Sequence, residues 1–268
     1  MSKGFLWFCQ NSGDVDYVKC SIALAQSIKK FNRENTVCVI TDEQSQFEHP
    51  SVDIVKVLST DDSESHTIKW ANEHKAARLS PFTHTIKLES DMLWTQNTDW
   101  WWHYLAQHNM IFSIDCRNYK DETVKDTMYR RLFVKNNLPN LYNGMTYFRR
   151  SAEAIGFYQI CEQLTRNWAY VRDNLLINCH DAYPSTDVIY ALAYRIMDPT
   201  NERLINYDWF KFIHHKSAIH GLNHTTDYDA YLNPVLTDDA VFLGGRRLDR
   251  VWHYVNKNTV EELHARIF

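Results

Sequence analysis

Glycine and proline are scarce in this chain, with seven and six among 268 residues. No stretch reaches the roughly 18 consecutive apolar residues of a membrane span, and the N-terminus has no basic segment followed by an apolar one. The six cysteines are scattered, form no C-x-x-C pair and lie in several cases in apolar runs. We therefore expect a soluble, cytoplasmic protein without an export signal, whose cysteines are reduced core thiols.

Positive charge is also in short supply. The chain has 29 Lys and Arg against 33 Asp and Glu, which gives a net charge of −4. This balance argues against a protein coated with nucleic-acid-binding positive charge, although a local basic cleft stays open. Aromatic residues are abundant at 14%, so stacking surfaces are available. Of the triple tryptophan at 100–102, we expect two members in the core, because three consecutive side chains cannot face one way.

Strand-like and helical segments alternate through the first part of the chain. The strand-like runs are residues 4–9, 36–41 and 52–58. Residues 17–31 have the apolar spacing of an amphipathic helix. This alternation predicts an α/β fold with a parallel, Rossmann-like sheet. Asn11 and Asp42 follow the first two strands, where such a sheet binds a nucleotide, but both are equally ordinary turn residues.

Residues 85–94 form an apolar run that ends in two carboxylates one residue apart. Successive strand side chains alternate faces, so Glu89 and Asp91 are expected to point the same way. Two adjacent hard oxygen ligands suit Mg²⁺ or Mn²⁺ carrying substrate phosphates. Ligands of open α/β sheets bind beyond the carboxyl ends of the strands, which is where this pair falls. Two solvated surface acids are the alternative.

Two segments in the middle of the chain supply further polar candidates. Asn143 and Gly144 precede a strand-like run, where the glycine either lets a backbone approach a ligand or makes a tight turn. Asp187 falls in the first turn of a predicted helix that follows a Pro-Ser-Thr sequence. A favourable contact with the helix dipole is its ordinary role.

The final third of the chain is rich in histidine and weakly periodic. Of the adjacent His214 and His215, at most one would join the carboxylates on a metal, because extended neighbours point to opposite sides. Lys216 would then hold a phosphate as a point charge. No linker composition separates this region from the rest, so we expect one domain over residues 1–268. Residues 1–115 would be its nucleotide-binding half and 116–268 its acceptor-binding half, closing as a C-terminal lobe.

Taken together, these segments resemble GT-A glycosyltransferases, especially family eight, the glycogenin and galactosyltransferase-like enzymes. Four stretches over about residues 4 to 220 carry the resemblance. They are Ala77-Arg78-Leu79 with Lys87 to Leu93, for Y-A-R-L…V-L-Y-L-D-x-D; Asn143-Gly144 with Tyr147-Phe148-Arg149, for N-x-G-x-x-x-F/N; Ser185-Thr186-Asp187, for D-Q-D; and Phe212 to Lys216, for H-x-x-G-x-x-K-P-W. The resemblance implies a GT-A fold with a central, mostly parallel sheet.

The resemblance also implies a set of site residues. Mn²⁺ or Mg²⁺ would be held by Glu89, Asp91 and His214. A nucleoside diphosphate sugar, UDP-linked by analogy, would contact Asn11, Asp42, Arg78, Glu89, Asp91, Gly144 and Lys216. Asn143 and Asp187 are the catalytic candidates, beside the sugar or the acceptor. The chain departs from the family in having Glu at the first acid, no Gln in the D-Q-D position and a compressed late motif, which leaves His214 against His215 open.

The chain further resembles the nucleotide-sugar transferases of T-even-like phages, through its L-x-S-D-M, Y-F-R-R and P-S-T-D stretches. This resemblance implies transfer of a pentose or hexose, such as arabinose or glucose, to 5-hydroxymethylcytosine in double-stranded DNA inside the host cell, with base flipping. Trp94 would stack on the base, and arginines would contact phosphates. Those arginines are Arg149, Arg246 and Arg247, with Arg130, Arg131, Arg150 and Arg250 as further candidates, and Trp252 is a second stacking candidate.

Three other classes remain open. One is a transferase that acts on a cell-surface glycan or a protein, and another is a non-catalytic nucleotide-sugar-binding module. A nucleotidyltransferase ranks last, because residues 10–14 hold one glycine and no basic residue where that class has a glycine-rich, basic loop. The family resemblance suggests retention of configuration, whereas Asp187 beside the acceptor would serve as a general base for inversion. The sequence does not determine the sugar, the nucleotide base or the oligomeric state.

Overall fold

The computed structural model describes residues 2–13, 15–63, 68–123, 130–214, 234–237, 240–254 and 257. The first seven strands are β1 Lys3–Cys9, β2 Thr36–Thr41, β3 Ile54–Val57, β4 His84–Leu88, β5 Met92–Leu93, β6 Met110–Ile114 and β7 Leu141–Arg149. Six of them form one sheet in the order β3-β2-β1-β4-β7-β6. Strands β1 to β4 pair in parallel and β7 is antiparallel to both its neighbours. The predicted central, mostly parallel sheet is confirmed.

Helices cover both faces of this sheet. They are α1 Tyr17–Phe31, a 3₁₀ helix Lys69–Lys75, α2 Ala76–Leu79, α3 Trp101–Leu105, α4 Arg131–Lys135, α5 Ala152–Arg166, α6 Trp168–Asn174 and α7 Thr186–Met197. The alternation of side chains along β1 feeds two separate cores. Phe5 and Trp7 pack with α1, whereas Leu6 packs with α5 and α7 on the opposite face. Asp16 begins α1 by accepting hydrogen bonds from two backbone amides, at 3.1 and 3.2 Å.

Two expectations about buried side chains are confirmed. All six cysteines are free and buried. Desolvation raises the pKa of the Cys9 thiol to about 12, so it is a packing group and not a reactive thiolate. In the triple tryptophan, Trp101 and Trp102 are buried while Trp100 is 47% exposed. None of the helices in the described part of the chain is both long and apolar enough to cross a lipid bilayer.

Short strands from the last part of the chain complete the architecture. They are β8 Ile213–His214, β9 Val235–Leu236, β10 Val241–Leu243, β11 Arg246–Arg247 and β12 Trp252–His253. Strands β9 to β11 form an antiparallel sheet of their own. Strand β12 lies between β5 and β8, antiparallel to the first and parallel to the second. This pairing brings His253 beside the chain that leaves β4. The division into halves at residue 115 stays a prediction.

Candidate active site

The two carboxylates that end the apolar run lie just beyond β4. The Glu89 amide donates to the carbonyl of Gly144 at 3.1 Å, which ties the end of β4 to β7. Strand β4 ends at Leu88 and the chain turns at Ser90 and Asp91, so the two acids are brought together by this turn and not by strand alternation. Asp91 is 9% exposed. The sequence therefore delivers two acids to the carboxyl edge of the sheet, one of them almost enclosed.

The imidazole that stands beside both acids is that of His253. Its Nε2 lies 3.4 Å from Glu89 Oε2 and 3.2 Å from Asp91 Oδ2. One ligand atom from each of the three side chains lies within 4.8 Å of the others, and among the described residues this is the group of three that could hold a metal ion. Two carboxylate oxygens and an imidazole nitrogen match the ligand types of Mn²⁺ and, less closely, of Mg²⁺. The donor set thus fits a divalent cation.

His214, which the sequence places on the metal, lies one layer further back. Its ring stacks on that of His253 with centroids 4.5 Å apart and planes 7° apart, because β8 and β12 are paired in register. The structure therefore brings His253, not His214, against the carboxylates. The sequence signal for His253 was its spacing to Lys257, which is closer to the late family motif than the spacing from His214 to Lys216. Lys216 and His215 lie outside the described residues.

Lys257 supplies further positive charge to the site. Its Nζ donates to Asp91 Oδ2 and, at 3.3 Å, to the carbonyl of Tyr254. Burial favours the neutral form of Asp91, but His253 and Lys257 outweigh it and hold the pKa of Asp91 well below its ordinary value. Burial raises the pKa of Glu89 despite the opposing His253, and the charge of Asp91 adds to the rise. The two acids are therefore electrostatically unequal.

A network of hydrogen bonds holds Glu89 from behind. The Asn143 side-chain amide donates to Glu89 Oε1 at 3.1 Å and to Thr186 Oγ1 at 2.6 Å. The Asn143 backbone amide donates to Asp187 Oδ1 at 2.7 Å. Lys87 in turn donates to Asn143 Oδ1 at 3.0 Å and to Glu73 Oε2 at 2.5 Å. Both predicted catalytic residues, Asn143 and Asp187, are thus linked to the first acid.

Asp187 has a second partner that the sequence did not suggest. Arg130 lies 3.0 Å from Asp187 Oδ2, and its guanidinium carbon is 3.6 Å from the centroid of the Tyr142 ring. Both carboxylate oxygens of Asp187 are therefore engaged, one by Arg130 and one by the Asn143 amide. In this arrangement Asp187 fixes the backbone of β7 beside Glu89.

Gly144 is required by close packing and not by an unusual backbone angle. A Cβ at this position would lie 3.1 Å from Glu89 Oε2 and 3.1 Å from Cζ of Phe212. Both contacts are tighter than most Cβ contacts, and one involves a candidate metal ligand. The glycine therefore lets β7 pass close to the carboxylate.

A cavity of about 330 Å³ opens in front of the acids. Its walls include Gln10, Tyr17, Lys69, Trp70, His253 and Lys257. Lys69 is a cavity residue that the sequence did not single out, because it is carried by a 3₁₀ helix without a motif. It lies 2.9 Å from Asp42 Oδ2 and 3.6 Å from Asp61 Oδ2.

The predicted donor residues Asn11 and Asp42 lie at the same edge of the sheet. Asn11 Oδ1 accepts from the Tyr17 amide at 2.8 Å and so supports the start of α1. Asp42 is buried and accepts from Lys69 and from the Ser45 amide. Burial opposes its charge, but these partners lower the pKa of Asp42 below its usual value. Neither Asn11 nor Asp42 lines the cavity, and neither does Arg78, which is exposed on α2.

The residues expected to contact DNA do not gather around the cavity. Trp94 is fully buried, with its ring centroid 4.8 Å from that of Phe5, so it would have to leave the core to stack on a base. Arg149 lies opposite His84 in the pairing of β7 with β4, and His84 is at the end of β4 away from Glu89. Arg246 and Arg247 are exposed in β11 and are not part of the cavity wall.

Of the further candidates for DNA contact, Arg131 is exposed on α4 and does not line the cavity, and the others are engaged elsewhere or buried. Arg150 donates to the carbonyl of Ser80. Arg250 binds Asp208 and Asp121. Trp252 is fully buried in β12. Arg130, as described above, binds Asp187.

Three solved structures with a similar architecture are glycosyltransferases. The galactosyltransferase LgtC, solved with donor and acceptor sugar analogs, has a TM-score of 0.52 and 11% identity, covering 98% of this chain and 96% of its own. Mouse xyloside xylosyltransferase 1, in its apo form, has a TM-score of 0.54 and 9% identity, covering 95% and 98%. An active-site mutant of LgtC has a TM-score of 0.52 and 10% identity, covering 98% and 95%.

No protein-family model and no curated protein sequence matches the chain. The likeness is therefore one of fold. Its extent over nearly the whole of both chains places this protein in the GT-A architecture that the sequence predicted.

Proposed function

We propose that this protein is a metal-dependent glycosyltransferase that moves a sugar from a nucleoside diphosphate sugar to an acceptor hydroxyl. The observation that carries the proposal is the meeting of Glu89, Asp91 and His253 at the carboxyl edge of the sheet, in the wall of a cavity. The GT-A architecture of the chain, shared with a galactosyltransferase and a xylosyltransferase, supports the same reading.

The cation in this proposal is Mn²⁺ or Mg²⁺, held by Glu89, Asp91 and His253. When bound, it supplies positive charge that neutralises the leaving diphosphate. Asn143 keeps Glu89 oriented through its hydrogen bond at 3.1 Å. Gly144 keeps the neighbouring backbone clear of the same carboxylate. The framework residues thus act on the cation by fixing one of its ligands.

The donor in this proposal lies along the cavity, with its diphosphate toward the three ligands. Lys69 lines the cavity, and its partner Asp42 directly follows β2, at the edge where open α/β sheets bind nucleotides. Lys69 is neutralised by Asp42 and Asp61 before any donor binds. We therefore assign this ion-paired cluster to the nucleoside and the metal ligands to the diphosphate. Asn11 contributes by supporting the start of α1.

Asn143 and Asp187 hold the first metal ligand and the adjacent backbone. Because Arg130 and the Asn143 amide occupy both oxygens of Asp187, its contribution is electrostatic and positional. The alternative role for Asp187, a general base toward the acceptor, would require one of these contacts to open.

For the acceptor, we propose 5-hydroxymethylcytosine in DNA, on the resemblance of the L-x-S-D-M, Y-F-R-R and P-S-T-D stretches to phage transferases. The arginines named for this role lie away from the cavity, so phosphate contacts would have to come from other cations. A glycan or protein acceptor is the alternative that the same experiment tests.

The experiment incubates the full chain and Mn²⁺ with a panel of nucleoside diphosphate sugars. It measures nucleoside diphosphate release and analyses acceptors by mass spectrometry. The acceptors are hydroxymethylated DNA, unmodified DNA of identical sequence and an oligosaccharide. We expect metal-dependent transfer to hydroxymethylated DNA alone. Transfer only to the oligosaccharide would overturn the DNA acceptor, and neither release nor donor binding with any sugar would overturn the glycosyltransferase. Release of the sugar 1-phosphate in place of the nucleoside diphosphate would instead indicate a nucleotidyltransferase.

A further inference from the structure

The side-chain ammonium of Lys257 is hydrogen-bonded to Asp91, the carboxylate at the centre of the candidate metal site. Lys257 Nζ donates to Asp91 Oδ2, the same oxygen that lies 3.2 Å from His253 Nε2. Asp91 is 9% exposed, so little water is available to share its charge. In the protein without a cation, Lys257 is therefore a principal counter-charge of this acid.

A divalent cation and this ammonium are competitors. Both would bind Asp91 Oδ2, and two positive charges on one enclosed oxygen repel each other strongly at low effective dielectric. Lysine is suited to exchange, because its charge sits at the end of a flexible four-carbon stem and makes no bidentate fork. Metal binding therefore requires the ammonium to leave Asp91.

Lys69, the other lysine in the described cavity wall, is bound to acids outside the candidate metal site. Lys69 is held by Asp42 and Asp61, neither of which belongs to the three metal ligands. Among the described residues, Lys257 is held by Asp91, a candidate metal ligand, by the carbonyl of Tyr254 at 3.3 Å and by the Tyr254 ring, whose centroid lies 5.6 Å from its Nζ. Removing the Asp91 contact would leave Lys257 with the weaker contacts to Tyr254 and the open cavity in front of it.

We propose that Lys257 is a built-in substitute for the metal ion, bound to Asp91 in the metal-free protein and transferred to the donor diphosphate when the cation arrives. The metal half of this inference, the exchange of Lys257 for the cation at Asp91, is argued from the contacts above. The donor half, the transfer of Lys257 to the diphosphate, rests on the proposed function. The exchange couples the two ligands. The cation alone must displace Lys257, whereas the cation together with a diphosphate gives the released ammonium a new partner. Metal and nucleotide should then strengthen each other's binding.

This coupling predicts the direction in which a Lys257 substitution changes the affinities for Mn²⁺ and for a nucleoside diphosphate. Lys257→Met removes the competitor of the cation, so Mn²⁺ alone should bind more tightly, by about fivefold or more, the lower end of typical coupling factors. The same variant loses a diphosphate contact, so a nucleoside diphosphate should bind less tightly in the presence of Mn²⁺. A lysine that merely stabilised the fold would change neither affinity in this pattern.

The first test titrates the full-length chain with Mn²⁺ alone and follows free Mn²⁺ by electron paramagnetic resonance. Wild type, Lys257→Met and the matched control Lys69→Met are compared. We expect tighter Mn²⁺ binding by Lys257→Met and unchanged binding by Lys69→Met. Equal or weaker binding by Lys257→Met, or no Mn²⁺ binding by any of the three proteins, would overturn the inference.

A second test needs no substitution at Lys257 and so does not depend on how that variant folds. Acetylation of Lys257 by acetic anhydride is quantified by mass spectrometry in the wild-type chain without ligand, with Mn²⁺, and with Mn²⁺ plus UDP. We expect labelling to rise several-fold with Mn²⁺ and to fall again with UDP. In Asp91→Asn, labelling should be high and insensitive to Mn²⁺.

Labelling of wild type that does not respond to Mn²⁺, while Mn²⁺ is shown to bind, would overturn the exchange. A rise with Mn²⁺ but no fall with UDP would retain the metal half and remove the donor half. Because the Mn²⁺ arm requires no sugar transfer, failure of the proposed glycosyltransferase activity is distinguishable from failure of the exchange.

Discussion

Two buried pairs of lysine and acid lie within a few residues of each other along β4 and its continuation, and they differ in what surrounds the lysine. Lys87 is fully buried, 2.5 Å from Glu73 Oε2 and 3.0 Å from Asn143 Oδ1. Lys257 lines the cavity, and its side chain is 21% exposed. In the first pair Lys87 is enclosed where β4, β7 and the 3₁₀ helix meet, although its partner Glu73 borders the same cavity. In the second pair the lysine itself borders the cavity, where a ligand can reach it.

One fold therefore uses buried charge in two ways. Because Lys87 is fully buried, we expect its pair to be a permanent part of the framework that orients Asn143 and, through it, Glu89. An ion entering the cavity can replace Lys257, so that pair is exchangeable. The following predictions test this contrast.

The largest effect is expected at Asp91, the acid that Lys257 and the cation share. Asp91→Asn should abolish Mn²⁺-dependent donor binding and lower the transfer rate by at least about 100-fold, since it removes one ligand and the charge facing the metal. The fold should persist, as judged by circular dichroism. Glu43→Gln, a change to an exposed acid, is the control. Donor binding by Asp91→Asn at wild-type affinity with Mn²⁺ present would remove Asp91 from the metal site.

The next effect concerns stability and separates the two pairs directly. Lys87→Met leaves Glu73 buried without its partner and should cost about 3 kcal/mol of unfolding free energy, in the range for breaking a buried pair. Lys257→Met should cost less, about 1 kcal/mol, because His253 remains beside Asp91 and the Lys257 side chain is 21% exposed. Urea denaturation of both variants at pH 7 measures the difference. Equal costs would contradict the division into a framework pair and an exchangeable pair.

The pH dependence of stability should reveal the framework pair. Burial outweighs Lys87 and raises the pKa of Glu73 from 4.5 to about 7. The folded protein therefore holds a proton on Glu73 that the unfolded chain has released, so this acid makes stability fall as pH rises from about 4.5 to about 7.

Glu73→Gln removes that proton uptake. The free energy of unfolding of the variant relative to wild type should therefore rise over the same pH range, by on the order of 2 to 3 kcal/mol. Urea midpoints measured from pH 5 to pH 8 test the sign. A constant difference between the two proteins across this range would show that Glu73 titrates normally in the folded state.

The smallest effect is expected at Gly144, which lies between the two pairs. Gly144→Ala places a Cβ 3.1 Å from Glu89 Oε2 and from Phe212, so one of them must shift. We expect a loss of about 1 kcal/mol of stability, as for mild overpacking, together with weaker Mn²⁺ binding. Gly156→Ala is the matched control, because a Cβ there meets no atom within 4 Å. It lies in α5 and should be neutral or slightly stabilising.

The first part of the fold followed from local pattern. Alternating strand and helix signals located β1, α1 and β2, and the acids Glu89 and Asp91 fell at the strand end as expected. Such features depend on residues close in the chain, where side-chain periodicity is informative. The boundaries of β3, at Ile54–Val57, were within two residues of those predicted.

The third residue of the candidate metal site, His253, could not be found in this way. His253 reaches the acids because the two-residue strand β12 pairs with β5, and two residues are too few to show a period. Lys69 was missed because the 3₁₀ helix that carries it has no sequence motif. The enclosure of Trp94 depends on packing against Phe5 and Trp101, which are distant in sequence or in a separate element. Long-range pairing and burial are thus what the sequence left undetermined.

The most direct test of the proposed metal site is Mn²⁺ titration of wild type, His253→Ala and His214→Ala, each as the full chain. His253 lies beside both acids, whereas His214 stacks behind it. We expect His253→Ala to lose at least about 100-fold in Mn²⁺ affinity, more than the loss typical of a supporting residue, and His214→Ala to lose about tenfold or less. Loss of Mn²⁺ binding by His214→Ala with full retention by His253→Ala would contradict the proposed site.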